Sequence, residues 1–198
     1  KKQGGIFTMQ SKRTLFIIEV AIFTALAFVL DIIPFLSFKI WPQGGSISFV
    51  MIPIFIVAFR WGVKGGLLSG LILGLLKMMI GGYVVHPVQA ILDYPVAFTV
   101  LGLAGLLAAA TQAALKDNNT KRFIGMVTTG VLIGITLRFI SHYFAGVVFF
   151  GSGIETMNAW LYSLIYNSSY LIPSFVINVA AVSFLFNKRP NLIAATTK

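Results

Sequence analysis

Among the 198 residues of this chain there is no cysteine, so neither a disulfide framework nor a cysteine-based metal site is open to it. Charge is scarce as well, at 10% of residues, and only five side chains are acidic. The sequence lacks Gly-x-Ser-x-Gly, His-Glu-x-x-His and any phosphate-binding Gly-Lys-Ser/Thr, which removes the usual sequence grounds for esterase, zinc-protease or nucleotide chemistry. Ser141 stands beside His142, but adjacent helical residues point to different faces and make a poor nucleophile and base. Without an ATP site, any active transport would draw on a partner or an ion gradient.

What the chain does have is apolar surface: 58% of its residues are hydrophobic. That composition belongs to an integral membrane protein, and the length allows about six spans of roughly 20 residues. The net charge of +10 would also suit a nucleic-acid or membrane-surface binder. Placement argues otherwise, because twelve of the fifteen Lys and Arg lie at the termini or in two loops on one side, as the positive-inside rule expects. Residues 1–10 read as a tag or a disordered lead, no cleavable signal peptide is evident, and residues 11–198 read as one membrane domain.

The expected class is an all-α bundle of six transmembrane helices with both termini cytoplasmic, in a multi-pass bacterial plasma-membrane protein. The spans are Leu15 to Phe35, Ile47 to Phe59, Gly65 to Ile80, Pro87 to Ala110, Phe123 to Phe150 and Ala159 to Phe186. The second run is short, about 20 Å at helical rise, and must tilt, borrow loop residues or pack inside. Arg60–Lys64 and Lys116–Arg122 make the basic cytoplasmic turns. Pro34–Gly45, Gly81–Tyr83 and Gly151–Asn158, the last with Glu155, make the external loops. Ala21 and Ala25 form a small-residue pair that lets another helix approach, either within the bundle or from a partner protein. Trp41 in the first external loop is either an interfacial anchor or a cover over a ligand. Lys77 near the end of its span can snorkel to the interface.

Polar residues concentrate at one depth. Gln89 and Asp93 share a face near the external start of the fourth span, with Tyr94 on another face, and Pro95 is expected to distort these turns. Arg138, His142 and Gly146 follow at four-residue steps toward the external end of the fifth span, with Phe150 just beyond. Tyr162 and Asn167 open the sixth. The inner halves of the fourth and sixth spans are almost purely apolar, which describes a pocket open outward rather than a polar path across the membrane. A carboxylate at this depth costs about 2.5–3.5 kcal/mol unless partnered. One carboxylate, one imidazole, one amide and several rings suit a flat, cationic heteroaromatic ligand. The bland alternative is that these residues only hydrogen-bond the helices together.

Several strings then resemble a known family: Pro42-Gln-Gly-Gly-Ser-Ile-Ser48 with Met51-Ile-Pro-Ile54, Arg60-Trp-Gly-Val-Lys64, His86-Pro-Val-Gln89 with Leu92-Asp-Tyr94, Arg138 to Gly151, and Tyr162 to Asn167. Together they are similar to the thiamine-specific substrate-binding subunits of energy-coupling-factor (ECF) transporters, over nearly the whole chain beyond the first ten residues. The resemblance implies a non-enzymatic protein, with thiamine as transported ligand and no cofactor, that works with a transmembrane coupling subunit and two ATPases. It implies that Asp93, His142, Tyr162 and Asn167 hold the aminopyrimidine. Phe150 and an aromatic of the first external loop, here Trp41, would cover the thiazolium, with Gly146 and Tyr83 close by. Arg138 would lie at the base of the pocket, Tyr94 joins the set through its string, and Ala21 and Ala25 would dock the coupling subunit. Two rivals remain at this point: the same architecture for another heteroaromatic vitamin or a thiamine precursor, and a self-sufficient ion-coupled transporter.

Overall fold

The computed structural model describes residues 3–41, 44–151 and 156–194, so Glu155 of the third loop falls outside the described residues. Helix α1 covers Gln3–Ile32, α2 Met51–Met79, α3 Pro87–Lys116, α4 Thr120–Phe150 and α5 Ala159–Lys188. Each contains a segment long and apolar enough to cross a membrane, Ser11–Ile32 in the case of α1. The chain is thus a mostly helical, multi-pass membrane protein, with five such helices among the described residues.

The all-α expectation needs one amendment. Strands β1 (Ser37–Trp41) and β2 (Gly44–Ser48) pair antiparallel, with Phe38 opposite Ile47 and Trp41 opposite Gly44. Gly44 and Gly45, which open β2, adopt the positive φ that glycine tolerates. What reads as an external loop is therefore a hairpin, and its second strand lies on α5: a Cβ on Gly45 would come within 2.9 Å of the Tyr170 ring.

The second and third expected spans are joined by a sharp break rather than by a loop. From Met51 to Met79 the chain is helical except at Gly62, whose φ of 73° and ψ of −167° break it sharply. The two parts fold back on each other. A Cβ on Gly66 would sit 2.7 Å from the Cβ of Ala58, eight residues earlier, where a straight helix separates such positions by about 12 Å. The carbonyls freed near the break are not wasted, since Gln112 Nε2 donates to Phe59 O at 2.8 Å and to Arg60 O at 3.2 Å. The short apolar run settles its length problem by packing inside: every residue from Met51 to Phe59 is buried. A helix apolar on all sides belongs at the centre.

Glycines then set how closely α3 approaches α2. Cβ atoms on Gly66, Gly70 and Gly74 would come within 2.6, 2.1 and 2.6 Å of the backbone at Gly102, Phe98 and Tyr94 respectively. Residue numbers rise on one helix as they fall on the other, so the contact is antiparallel and backbone to backbone, the close approach that small residues permit. This seam places Tyr94, and with it Asp93, against the body of the bundle.

Candidate functional site

Pro87 opens α3, with the His86 Nδ1 accepting the Val88 N–H at 3.2 Å. Pro95 cannot donate a backbone hydrogen bond, and the turns across Leu92–Val96 widen to a π-helix. The Leu92 carbonyl there accepts from Ser141 Oγ at 2.7 Å, which gives Ser141 a structural part and ties α3 to α4. The widened turn turns Asp93 toward α4.

Asp93 Oδ1 lies 2.8 Å from His142 Nδ1, and its Oδ2 accepts from Gln89 Nε2 at 2.7 Å. On the other side of the imidazole, Arg138 Nε donates to His142 Nε2 at 3.2 Å. A guanidinium has only donors, so Nε2 must accept, the ring proton sits on Nδ1, and it is given to Asp93. The imidazole in this arrangement is neutral, and both carboxylate oxygens act as acceptors. Arg138, 9% exposed, lays its guanidinium 4.0 Å from the Phe98 ring centre, and its Nη1 is buried without a hydrogen-bond partner in this structure. That unpartnered donor faces a cost of about 1–3 kcal/mol unless an acceptor reaches it.

From His142 the cluster continues into α5. The imidazole meets Tyr170 edge-on at 6.3 Å, and Tyr170 donates to Asn167 Oδ1 at 2.6 Å. Asn167 Nδ2 in turn donates to Ser163 O at 2.9 Å. Gly146 lies directly over this pair, where a Cβ would be 2.3 Å from Ser163 Oγ. An aromatic wall stands alongside: Tyr162 stacks on Tyr166 at 6.0 Å, and Trp41 of β1 lies 5.5 Å from Tyr166 and 6.4 Å from Tyr162. Trp41 also donates to Ser169 Oγ at 2.9 Å, so it is fastened to α5.

The segment before α3 closes the other flank. Tyr83 stacks on Phe150 at 6.1 Å and His86 on Phe149 at 4.9 Å, while Tyr94 OH accepts the Tyr83 N–H at 2.7 Å. All ten sequence-derived candidates, Trp41, Tyr83, Asp93, Tyr94, Arg138, His142, Gly146, Phe150, Tyr162 and Asn167, therefore fall in one connected neighbourhood. The polar groups bond to one another here. A recess of about 560 Å³ on α5, lined by Leu164, Ile165, Ser168, Ser169, Ile172 and Pro173, meets the cluster at Ser169, and another of about 210 Å³ lies beside Phe123 and Phe184.

Ser163, Tyr166 and Tyr170 also belong to the neighbourhood, and their three- and four-residue spacing sets them on one helical face. Lys77 Nζ pairs with Asp31 at 2.6 Å and stands 5.1 Å from the same Phe98 ring that Arg138 covers. Glu19 is paired too, by the Arg60 guanidinium and by Trp61 Nε1 at 2.7 Å. Each of the three acidic side chains within the long helices thus has a partner, as their cost in a bilayer requires. Away from the cluster, Ala21 and Ala25 lie on the exposed face of α1 among Ile17, Ile18 and Ile22.

Residues 17–194 match the model of a family described as thiamine transporter protein (Thia_YuaJ). The chain belongs to that family. It is 45% identical over 188 residues to the thiamine transporter ThiT of Bacillus subtilis strain 168, covering 93% of this chain and 96% of the relative. With the thiamine transporter ThiT of Lacticaseibacillus paracasei it shares 34% identity over 191 residues, covering 94% of each. Its fold superposes on the solved ThiT of Listeria monocytogenes with a TM-score of 0.85 at 31% identity, over 92% of this chain and 99% of that one. A solved S component of a bacterial ECF transporter matches with a TM-score of 0.61 at 18% identity over 91% and 98%, a likeness of fold. Membership in the thiamine transporter family places the chain among transport proteins rather than enzymes.

Proposed function

We propose that this protein is the thiamine-capturing subunit of an ECF-type transporter in a bacterial cell membrane, and that the cluster centred on Asp93 is where the vitamin binds. One observation carries the site: a charged carboxylate within the helical bundle is held between a neutral imidazole and a neutral amide, with no cation bonded to it among the described residues. Thiamine brings a cationic thiazolium and an aminopyrimidine with N–H donors. Asp93 is read as the aminopyrimidine's acceptor and counter-charge, and His142, Tyr162 and Asn167 as its further contacts. Trp41, Tyr83 and Phe150 cover the thiazolium, and a cation over such rings gains about 0.5–2 kcal/mol. Arg138 offers its unpartnered Nη1 to a ligand acceptor, Tyr94 holds Tyr83 in place, and Gly146 leaves room beside Ser163.

The finer architecture belongs to the same reading. Counting the parts of α2 on either side of Gly62 separately gives six segments with both termini cytoplasmic, in one domain over residues 11–198. The cluster then opens to the exterior. Thiamine is the transported ligand, no cofactor takes part, and energy comes from two ATPase subunits through a transmembrane coupling subunit that docks on the Ala21 and Ala25 face.

Native mass spectrometry of the protein purified from thiamine-containing medium tests the reading. A retained mass equal to thiamine, exchangeable for added isotopically labelled thiamine, is the expected result. Failure to retain or take up the labelled vitamin would overturn it.

A further inference from the structure

Gln89 is 1% exposed, and its amide is fully engaged. Oε1 accepts the Val85 N–H at 3.0 Å, while Nε2 donates to Tyr83 O at 3.1 Å and to Asp93 Oδ2 at 2.7 Å. The assignment of oxygen and nitrogen follows from these partners, because the reverse orientation would set the amide oxygen against a carbonyl and a carboxylate.

We infer that Gln89 is a positioning residue for ligand recognition: it fixes the Asp93 carboxylate in its binding orientation and joins it to the Tyr83–Val85 segment. This rests on the reading of Asp93 as the thiamine counter-charge. The carboxylate is gripped at both oxygens, by His142 on Oδ1 and by Gln89 on Oδ2, so rotation about its last torsion is blocked. Each oxygen still has lone-pair capacity for an incoming N–H donor. The chemistry of the anchor matters. A lysine in its place would neutralise the charge the ligand needs, and a carboxylate would repel it, whereas an amide donates without cancelling.

The same side chain reaches the flank of the site. With Tyr94 accepting the Tyr83 N–H and Tyr83 stacked on Phe150, Gln89 bonds both to this segment and to the carboxylate. Ligand binding at Asp93 and the packing of the segment over it are therefore coupled through one amide.

A double-mutant cycle on the full-length protein, read by calorimetric titration with thiamine, tests this. Gln89→Leu should weaken binding about tenfold or more, in line with loss of a charge-assisted anchor. In an Asp93→Asn background, where no charge remains to be oriented, the same change should cost no more than about threefold, a non-additivity typical of residues in direct contact. If wild-type protein binds thiamine and the Gln89→Leu loss is absent, or equal in both backgrounds, the inference fails while the thiamine reading stands. If wild-type protein does not bind thiamine, that reading fails, and the role given to Gln89 goes with it. Should Gln89→Leu not fold, Gln89→Asn replaces it: the shorter amide cannot reach both Tyr83 O and Asp93, and the same pattern is expected.

Discussion

Asp93 and His142, 49 positions apart and on different helices, meet at 2.8 Å with only 16% and 12% of their side chains exposed. This contact joins the half of the cluster built on α3 to the half built on α4 and α5. Replacing the imidazole should therefore damage the site more than the fold. His142→Ala is expected to weaken thiamine binding by roughly tenfold or more, the worth of one hydrogen bond to a charged group. Titration alongside size-exclusion chromatography checks it: unchanged affinity in a well-folded variant would reduce His142 to a helix-packing residue.

The seam between α2 and α3 predicts opposite outcomes for one substitution at two glycines. A methyl group on Gly70 would lie 2.1 Å from the Phe98 carbonyl oxygen, so Gly70→Ala must push the helices apart and cost about 1–3 kcal/mol. Gly125 in α4 has nothing within 4 Å of the same position, and Gly125→Ala should instead gain up to about 1 kcal/mol of helix propensity. Thermal unfolding in detergent should show the first variant less stable and the second equally or more stable. A Gly70→Ala variant as stable as wild type would mean that the seam is looser than described.

The Asp31 and Lys77 pair is 17% exposed on each side, so removing one partner strands the other. Asp31→Asn alone should cost about 3 kcal/mol, whereas Asp31→Leu combined with Lys77→Met should cost much less, because the pair is replaced rather than broken. Equal losses in unfolding experiments would show that the ion pair is not the unit of stability there.

Ala21 and Ala25 face outward from α1, and a bulky side chain there has room in the free subunit but not beneath a docked partner. Ala21→Trp should leave thiamine titration unchanged and prevent co-purification with the coupling subunit. Normal recovery of the complex would move the docking face elsewhere.

Much of this site could be read from the sequence because few polar residues compete in so apolar a chain. Asp93 and Gln89 are four apart, as are Arg138, His142 and Gly146, and that spacing alone aligns each set on one helical face. The partners of the other acidic residues were harder to see, since Asp31 and Lys77 are 46 positions apart and only the packed bundle brings them together. Strand β1 is five residues long and carries Lys39 and Trp41 in what looks like turn-rich loop, so its pairing with Gly44–Ser48 leaves little periodic signal. The doubling back at Gly62 is legible as the basic turn Arg60–Lys64, but that a single glycine makes the break is not. Tyr166 and Tyr170 are hard to single out for the opposite reason: in a segment crowded with polar and aromatic residues, no single position stands out. The triple bonding of Gln89 depends on the Tyr83–Val85 backbone, which spacing on the helix does not reveal.

The account depends most on the Asp93 charge meeting a cationic vitamin, and calorimetric titration of thiamine into wild-type and Asp93→Asn protein tests that directly. One-to-one binding is expected, weaker by about tenfold or more in the variant, which keeps the size of the side chain and loses its charge. Equal affinity in the two proteins, or no thiamine binding by the wild type, would contradict it.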